Sequence, residues 1–213
     1  DDIEKLVKVS EPDYGIIPNV GKAHLLGFGS FDGVKKAKGA LYDYVAAHDG
    51  EVFVNADDAD LVSMAESRSG MVLIPYGIEN DEVEILPVTP EEPFLRLGFP
   101  DGRVLKTALV GSYNAANVLA ALCIGRHFGV DEDAAFDAIS SYTPSNSRSQ
   151  MVRTADNTLI VDAYNANPSS MRAALDNFSR IKASHKTALL GDMRELGENS
   201  VNEHIDILRL ALS

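Results

Sequence analysis

The stretch that decides the fold reads Gly15-Ile-Ile-Pro-Asn-Val-Gly-Lys-Ala-His-Leu25, and Gly27-Phe-Gly-Ser-Phe-Asp-Gly-Val-Lys-Lys-Ala-Lys38 follows almost at once. Its apolar start predicts a strand that runs into a turn presenting Asn19 and His24. A helix then begins and carries Lys38 on its apolar side. In open α/β sheets, ligands bind just past the carboxyl ends of the strands. The stretch therefore predicts such a sheet, with polar residues at its ligand-binding edge.

Short apolar strands and helices alternate around this stretch, up to residue 145. Buried strands separated by helices are typical of a parallel sheet. The pattern predicts strands at 14–20, 52–55 and 71–76, and helices at 33–48, 58–67, 112–128 and 131–140. Residues 83–109 differ, because an Asp-Gly turn lies between segments of antiparallel character, which indicates a β-hairpin insertion.

Residues 142–150 are polar and lack periodicity, which predicts a linker between two domains at 1–145 and 146–213. After the linker the pattern restarts. It predicts a hairpin over 151–163, a helix over 168–181, a strand over 187–190 and a helix from residue 201 onward. The chain ends within that helical pattern, so we expect the second domain to be cut short.

The composition disfavours nucleic-acid-binding, membrane-spanning and disulfide-bonded proteins. The 213 residues are 45% hydrophobic and carry a net charge of −13, a charge that disfavours nucleic acid or an anionic membrane as a partner. No apolar run approaches the ~20 residues of a membrane span, and the first residues lack a signal-peptide pattern. The single cysteine, Cys123, excludes an intrachain disulfide. We expect a cytoplasmic protein that does not insert into membranes.

His24 and Lys38 each allow two interpretations. Imidazole is a common metal ligand, yet a lone histidine is also commonly structural. Lys38 falls between the apolar positions Val34 and Tyr42 on the predicted helix. Burial lowers the pKa of an amine, and a neutral amine can take up carbon dioxide to form an anionic carbamate that binds Mg²⁺. Alternatively, the stem of Lys38 packs on apolar surface while its ammonium reaches water.

Other polar residues suit a nucleotide. Asn114 and Asn117 follow Ser112, the expected N-cap of a helix, and their carboxamides can meet an adenine edge, although asparagine is common near helix starts. Arg148, in the linker, can reach phosphates or stay solvated. Asp162 ends a predicted strand, where a carboxylate can hold ribose hydroxyls.

The remaining motifs give no evidence for a catalytic role. Asn167-Pro168 predicts an N-cap followed by an N1 proline, and Ser200-Val-Asn-Glu203 predicts a capping box. The role of His204, next to that box, stays open. The glycine-rich residues 27–33 lack the Lys-Ser/Thr ending of a phosphate loop. Hydrolase, zinc and redox motifs are absent from the sequence.

The order of these residues resembles the Mur ligases, ATP-dependent enzymes that add amino acids to the peptidoglycan precursor. The family shows an Asn-x-Gly-x-x-His turn, a helix lysine, an Asn-Ala-Asp-Asp-like stretch, a Gly-x-His-Asn-x-x-Asn helix start, an interdomain arginine and an Asp-x-Tyr-Asn-Ala-Asn-Pro turn. The matching positions here are His24, Lys38, 55–58, 111–117, Arg148 and 162–168. Tyr113, Pro18 and Ser147 depart from the residues that are frequent there.

This resemblance covers nearly the whole chain and implies a fold and a site. The implied fold is a central ATPase domain with a mostly parallel sheet and a β-hairpin insertion, followed by a truncated Rossmann-like domain. His24 and carbamylated Lys38 would hold Mg²⁺. The implied nucleotide contacts are Asn114 and Asn117 to adenine, Arg148 to phosphate and Asp162 to ribose, and the implied substrate contacts are Tyr164, Asn165 and Asn167.

The resemblance also implies a reaction. Gly191-Asp-Met-Arg-Glu-Leu-Gly197 and the 162–168 turn point to the branch that adds D-Ala-D-Ala to UDP-MurNAc-tripeptide through an acyl phosphate. The partners would be these small molecules and ATP, and the protein a monomer. The family's UDP-binding domain, phosphate loop and an acidic metal ligand would precede residue 1, and more of the last domain would follow Ser213.

We therefore expect the 213-residue chain alone to be inactive. The rival hypotheses within the class are another Mur-type ligase and folylpolyglutamate synthase. The rival from another class is a non-catalytic nucleotide-binding or interaction module.

Overall fold

The computed structural model describes residues 2–21, 30–89, 92–145 and 147–212, which pack as two compact units. The first comprises the residues up to Val83 together with Ala116–Glu132. The second comprises Glu84–Ala115 together with the residues from Asp133 onward. Residues 84–115 thus pack with later parts of the chain, and the division of the sequence at 145 and 146 stays a prediction.

The first unit contains a parallel sheet of three strands, as the sequence predicts. After helix α1 (Asp2–Ser10), the strands β1 (Tyr14–Ile16), β2 (Glu51–Asn55) and β3 (Val72–Tyr76) lie in that order, with β2 in the middle. Gly15 pairs with Val52, and Val54 pairs with Pro75. Parallel neighbours need crossover connections, and these are α2 (Phe31–Ala47) and α3 (Ala59–Glu66).

The core of this unit lies between the sheet and the two crossover helices. Tyr42 and Val45 from α2 and Leu61 from α3 are fully buried with Val52 and Val54 of β2. Burying one such aliphatic side chain contributes about 1.5–3 kcal/mol. The helix α4 (Ala115–His127) contributes further buried residues outside that cluster, Val118, Leu119 and Leu122.

The second unit contains the predicted β insertion. The short strands β4 (Glu84–Ile85), β5 (Arg96–Gly98) and β6 (Val104–Lys106) form an antiparallel sheet in that order. The Asp-Gly turn lies between β5 and β6, and Gly102 has a φ of 87° there. Glycine accepts this left-handed conformation without steric cost, so the local sequence explains the turn.

The rest of the second unit follows the predicted order of hairpin and helices. After α5 (Glu132–Ser141), β7 (Gln150–Arg153) pairs with β8 (Thr158–Val161), and then come α6 (Pro168–Arg180) and α7 (Ser200–Leu212). A small core joins α6 and α7. It consists of four buried residues, Leu175, Met193, Leu196 and Ile207.

The prediction of a strand over 187–190 is wrong. These residues have no regular structure, and Leu189 is 94% exposed. A strand needs a neighbour that accepts and donates ladder hydrogen bonds, and in the described part of the chain β8 pairs only with β7. Apolar composition alone therefore could not produce a strand here.

Two other elements differ from the sequence prediction. β1 ends at Ile16 and not at residue 20, since Pro18 has no N–H to donate to a ladder. Helix α1 was not predicted; its first turn carries Asp2 and Glu4 and its last turn carries Lys8, as the helix dipole favours. In the described residues, the structure has no helix that is both long enough and apolar enough to cross a membrane.

Candidate functional site

Lys38 is half-buried on α2, between the buried residues Val34 and Tyr42. Its Nζ donates a hydrogen bond to the carbonyl oxygen of Asn19 at 2.7 Å. Burial lowers the pKa of Lys38 below its ordinary value. Lys36, two residues earlier, is exposed, as the helical spacing predicts. The structure thus places the amine at the end of the β1 region, where burial makes its charged form less favourable than in water.

His24, the other predicted metal ligand, lies outside the described residues. Within the described ranges, no group of three or more His, Cys, Asp or Glu side chains is placed to hold a metal ion. A carbamate on Lys38 would add the oxygen ligands that Mg²⁺ prefers. The lowered pKa of Lys38 therefore fits the implied metal, and Lys38 is the described residue that could help to hold it.

The stretch Asn55-Ala-Asp-Asp58 has a structural explanation. Asp57 accepts hydrogen bonds from the N–H groups of Ile78 at 2.6 Å and Glu79 at 3.2 Å, which ties the end of β2 to the turn after β3. Asp58 is the N-cap of α3, where its carboxylate accepts from two backbone N–H groups. A carboxylate at a helix N-terminus satisfies unpaired donors and the dipole. Both acidic side chains therefore stabilise turns at this edge of the sheet.

Asn114 and Asn117 lie near the start of α4. Asn114 is in a 3₁₀ turn, Ser112–Asn114, and its Nδ2 donates to the carbonyl oxygen of Val110 at 2.9 Å. Asn117 is exposed on α4. The expectation that Ser112 is the N-cap is wrong, because Gly111, with a φ of 94°, precedes the 3₁₀ turn and Ser112 lies inside it.

Asp162 and the residues around Arg148 come together at the end of the β7–β8 hairpin. Asp162 Oδ1 accepts a hydrogen bond from the N–H of Ser149 at 3.4 Å. Ser149 is only 5% exposed, and its Oγ lies 2.6 Å from the hydroxyl of Tyr113. Burial raises the pKa of Tyr113, so its phenol keeps its proton, and either hydroxyl can donate in the hydrogen bond with Ser149. Sequence reasoning missed this connection, since 36 residues separate Tyr113 and Ser149.

Tyr164 stacks with Arg148. The guanidinium carbon of Arg148 lies 3.8 Å from the centroid of the Tyr164 ring. Asn165 is exposed. Asn167 is the N-cap of α6 in a capping box with Ser170, and Pro168 follows it at the helix start. The structural role predicted for Asn167 is confirmed, and Arg148, Asp162 and Tyr164 are the predicted residues that the hairpin end brings together.

His204 connects α7 to the loop that precedes it. The N–H of Met193 donates to His204 Nε2 at 3.1 Å, and Nδ1 lies 2.7 Å from the carbonyl oxygen of Ser200. Nε2 must therefore be the unprotonated nitrogen, while Nδ1 carries the hydrogen that Ser200 accepts. Glu203 lies 3.7 Å from Arg172 of α6. The role that the sequence left open for His204 is to hold the loop containing Met193.

Two family models match the chain. The model of the Mur ligase middle domain matches residues 1–125, and that of the Mur ligase glutamate ligase domain matches residues 147–212. The UDP-N-acetylmuramoyl-tripeptide–D-alanyl-D-alanine ligase of Mycobacterium tuberculosis H37Rv is 34% identical over 99% of the chain and 43% of its own length. The Escherichia coli K12 protein of the same name is 31% identical over 94% of the chain and 45% of its own length.

Solved structures agree with these matches. A crystal structure of MurF from Acinetobacter baumannii has a TM-score of 0.81 at 30% identity, covering 99% of the chain and 47% of that protein. MurF from Thermotoga maritima in complex with ADP has a TM-score of 0.84 at 22% identity, with 98% and 48% covered, and supports the fold. The chain spans less than half the length of these relatives. Since one family model alone covers more than half of its residues, the chain belongs to the Mur ligase family.

Proposed function

We propose that the complete protein containing this chain is an ATP-dependent ligase that joins D-Ala-D-Ala to UDP-MurNAc-tripeptide. The observation that carries the proposal is the 34% identity to a relative of that name over 99% of the chain, which spans both matched domains. The lowered pKa of Lys38 and the grouping of Arg148 with Asp162 support the same reading.

The proposed reaction has two steps that balance in atoms and charge. The terminal carboxylate of the tripeptide takes the γ-phosphoryl group of ATP and releases ADP, which gives an acyl phosphate. The amine of D-Ala-D-Ala then attacks the acyl carbon through a tetrahedral intermediate. Phosphate leaves, the amine loses its proton, and an amide bond remains. Such transfers depend mainly on positioning and on stabilising the negative charge of the phosphoryl group.

Arg148 and Asp162 receive the nucleotide roles that suit their chemistry. A guanidinium offers several N–H donors that match phosphate oxygens, so Arg148 is assigned to the phosphates. Asp162 uses one carboxylate oxygen for the N–H of Ser149, and a carboxylate can accept further hydrogen bonds from ribose hydroxyls. Asn114 and Asn117 are assigned to the adenine edge.

Lys38 is assigned to metal binding as a carbamate, with His24 as a further ligand. Mg²⁺, when bound, offsets the charge that develops on the transferred phosphoryl group. The chain's own part is to keep the Lys38 amine half-buried and hydrogen-bonded to Asn19, so that the amine is held in place and loses its proton more readily than in water. Asn165 and Asn167 are assigned to the peptide substrate, as the resemblance implies, whereas Tyr164, for which the resemblance implies the same role, stacks on Arg148. We further propose a monomeric cytoplasmic enzyme with a domain boundary at residues 145 and 146.

The test is a substrate panel with the complete ligase. Phosphate release from ATP is measured with UDP-MurNAc-tripeptide and D-Ala-D-Ala and, in turn, with diaminopimelate, lysine or glutamate as the amine, each paired with a shorter precursor that does not yet carry that residue. Of these amines, we expect only D-Ala-D-Ala to give turnover. Turnover with another amine would assign the protein to a different ligase of the class, and failure to consume ATP with any amine would favour a binding module.

A pair of lysine variants tests the site within the same assay. Lys38→Ala should abolish turnover, because it removes the amine that carries the carbamate. Lys36→Ala is the matched control, since Lys36 is exposed on the same helix and surface changes of this kind have small effects. Full activity of the Lys38→Ala enzyme would contradict the role given to Lys38.

A further inference from the structure

The backbone around Arg148 is held at both ends of a tight turn. Ser147 and Ser149 have φ angles of 56° and 48°, in the left-handed region that residues with a Cβ rarely adopt. The N–H of Ala163 donates to the carbonyl oxygen of Ser147 at 2.8 Å, and Asp162 accepts from Ser149 at the other end. The residues that follow β8 therefore fix the backbone position of Arg148.

The far end of the Arg148 side chain rests on an aromatic ring. Its guanidinium carbon is 3.8 Å from the ring centroid of Tyr164, well inside the ~6 Å over which a cation–π interaction is felt. Tyr164 is 65% exposed, so its ring contributes little to the core. The exposed ring provides a flat surface on which the guanidinium can lie.

Stacking leaves the hydrogen-bond donors of Arg148 for another group. The N–H bonds of a guanidinium lie in its plane and point outward, so a ring against its face does not occupy them. Among the described residues, no carboxylate forms an ion pair with Arg148, and its guanidinium contacts the Tyr164 ring. Donors in a fixed plane suit the oxygens of a phosphate.

We propose that Tyr164 is a positioning residue, which holds the Arg148 guanidinium in one plane so that its edge meets the phosphates of ATP. Tyr164 then acts through Arg148 and not by contacting the peptide substrate. This inference rests on the proposed function, in which Arg148 contacts phosphate. Without the ring, the long arginine side chain would have to give up more rotamer freedom each time the nucleotide binds.

The test compares two substitutions in the complete ligase. Tyr164→Leu removes the aromatic face, and Tyr164→Phe keeps it. We expect Tyr164→Leu to lower kcat/KM for ATP about two- to fivefold, the size of a solvent-exposed cation–π contact, with KM for D-Ala-D-Ala unchanged. Tyr164→Phe should keep kcat/KM for ATP close to the wild-type value. Tyr142→Leu is the matched control, because Tyr142 is also an exposed tyrosine of the second unit.

A double-mutant cycle distinguishes positioning from direct contact. If Tyr164 acts through Arg148, Tyr164→Leu should add no further loss in an Arg148→Ala enzyme. A fully additive loss would mean that the ring contacts substrate or nucleotide independently, and the proposal would be wrong. Equal losses in Tyr164→Phe and Tyr164→Leu would also overturn it, since the hydroxyl and not the ring face would then matter.

A spectroscopic measurement keeps the inference separate from the proposed function. The NMR signal of the Arg148 Nε–H should be shifted by the ring current of Tyr164, and the shift should disappear in Tyr164→Leu but persist in Tyr164→Phe. A wild-type signal at the ordinary position would overturn the stacking whether or not the enzyme is active. Failure of the wild-type enzyme to ligate D-Ala-D-Ala, with the ring-current shift present, would instead refute the proposed function.

Discussion

Replacing His204 by phenylalanine should loosen the loop before α7 while leaving the shape of the side chain nearly unchanged. In the structure, Nε2 is the acceptor for the N–H of Met193 at 3.1 Å, and Met193 is only 3% exposed. Phenylalanine has no acceptor, so this N–H would lose its partner in a buried setting. Leaving a buried donor unsatisfied costs about 1–3 kcal/mol. For a protein of this length, each kcal/mol lowers Tm by roughly 2–4 °C.

Thermal unfolding measures the effect of His204→Phe on the whole protein, and amide hydrogen exchange measures it at Met193. Tm should fall by about 2–12 °C, from the costs above, and exchange at the Met193 amide should accelerate. His204→Gln should recover much of the loss, because its side-chain carbonyl can accept from the same N–H. His185→Phe, at an exposed histidine, controls for the added ring. Unchanged Tm and Met193 exchange in His204→Phe would refute the role given to His204.

Three further changes test other parts of the structure. Ser147→Gly should raise the free energy of unfolding by up to about 1 kcal/mol, measured in urea, because Ser147 has a φ of 56° that glycine adopts without strain; a loss of stability would contradict this. Tyr42→Phe should cost less than about 1 kcal/mol in the same assay, because the buried Tyr42 hydroxyl has at most a marginal hydrogen bond to the backbone of Ile17 in the described residues; a larger loss would mean that this bond is fully formed. Burial lowers the pKa of Lys38 from 10.5 in the folded protein, so the unfolded chain binds more protons at pH values between the folded and the unfolded pKa. The free energy of unfolding of wild type should therefore rise relative to that of Lys38→Met as pH rises through that window. A difference that stays constant with pH would refute the shift.

The sequence was sufficient for several local signals, although the N-cap expected at Ser112 is wrong. Asn167-Pro168 predicts the start of α6, and the structure confirms it, because a cap and an N1 proline act within one helical turn. The same holds for the Asp-Gly turn between β5 and β6. The half-burial of Lys38 also follows from helical spacing alone, since every third or fourth residue shares a face. The order of such motifs was enough to indicate the family.

Contacts between distant residues were decided only by the tertiary structure. The strand expected at 187–190 is absent, because strand formation depends on a neighbouring strand that no local pattern reveals. The bond between Tyr113 and Ser149, the stacking of Arg148 on Tyr164, and the use of His204 as an acceptor all join residues whose spacing carries no signal. Sequence motifs therefore indicated which residues are proposed to carry the chemistry, whereas folding decided how each is held, because orientation depends on what packs beside a side chain and not on its neighbours along the chain.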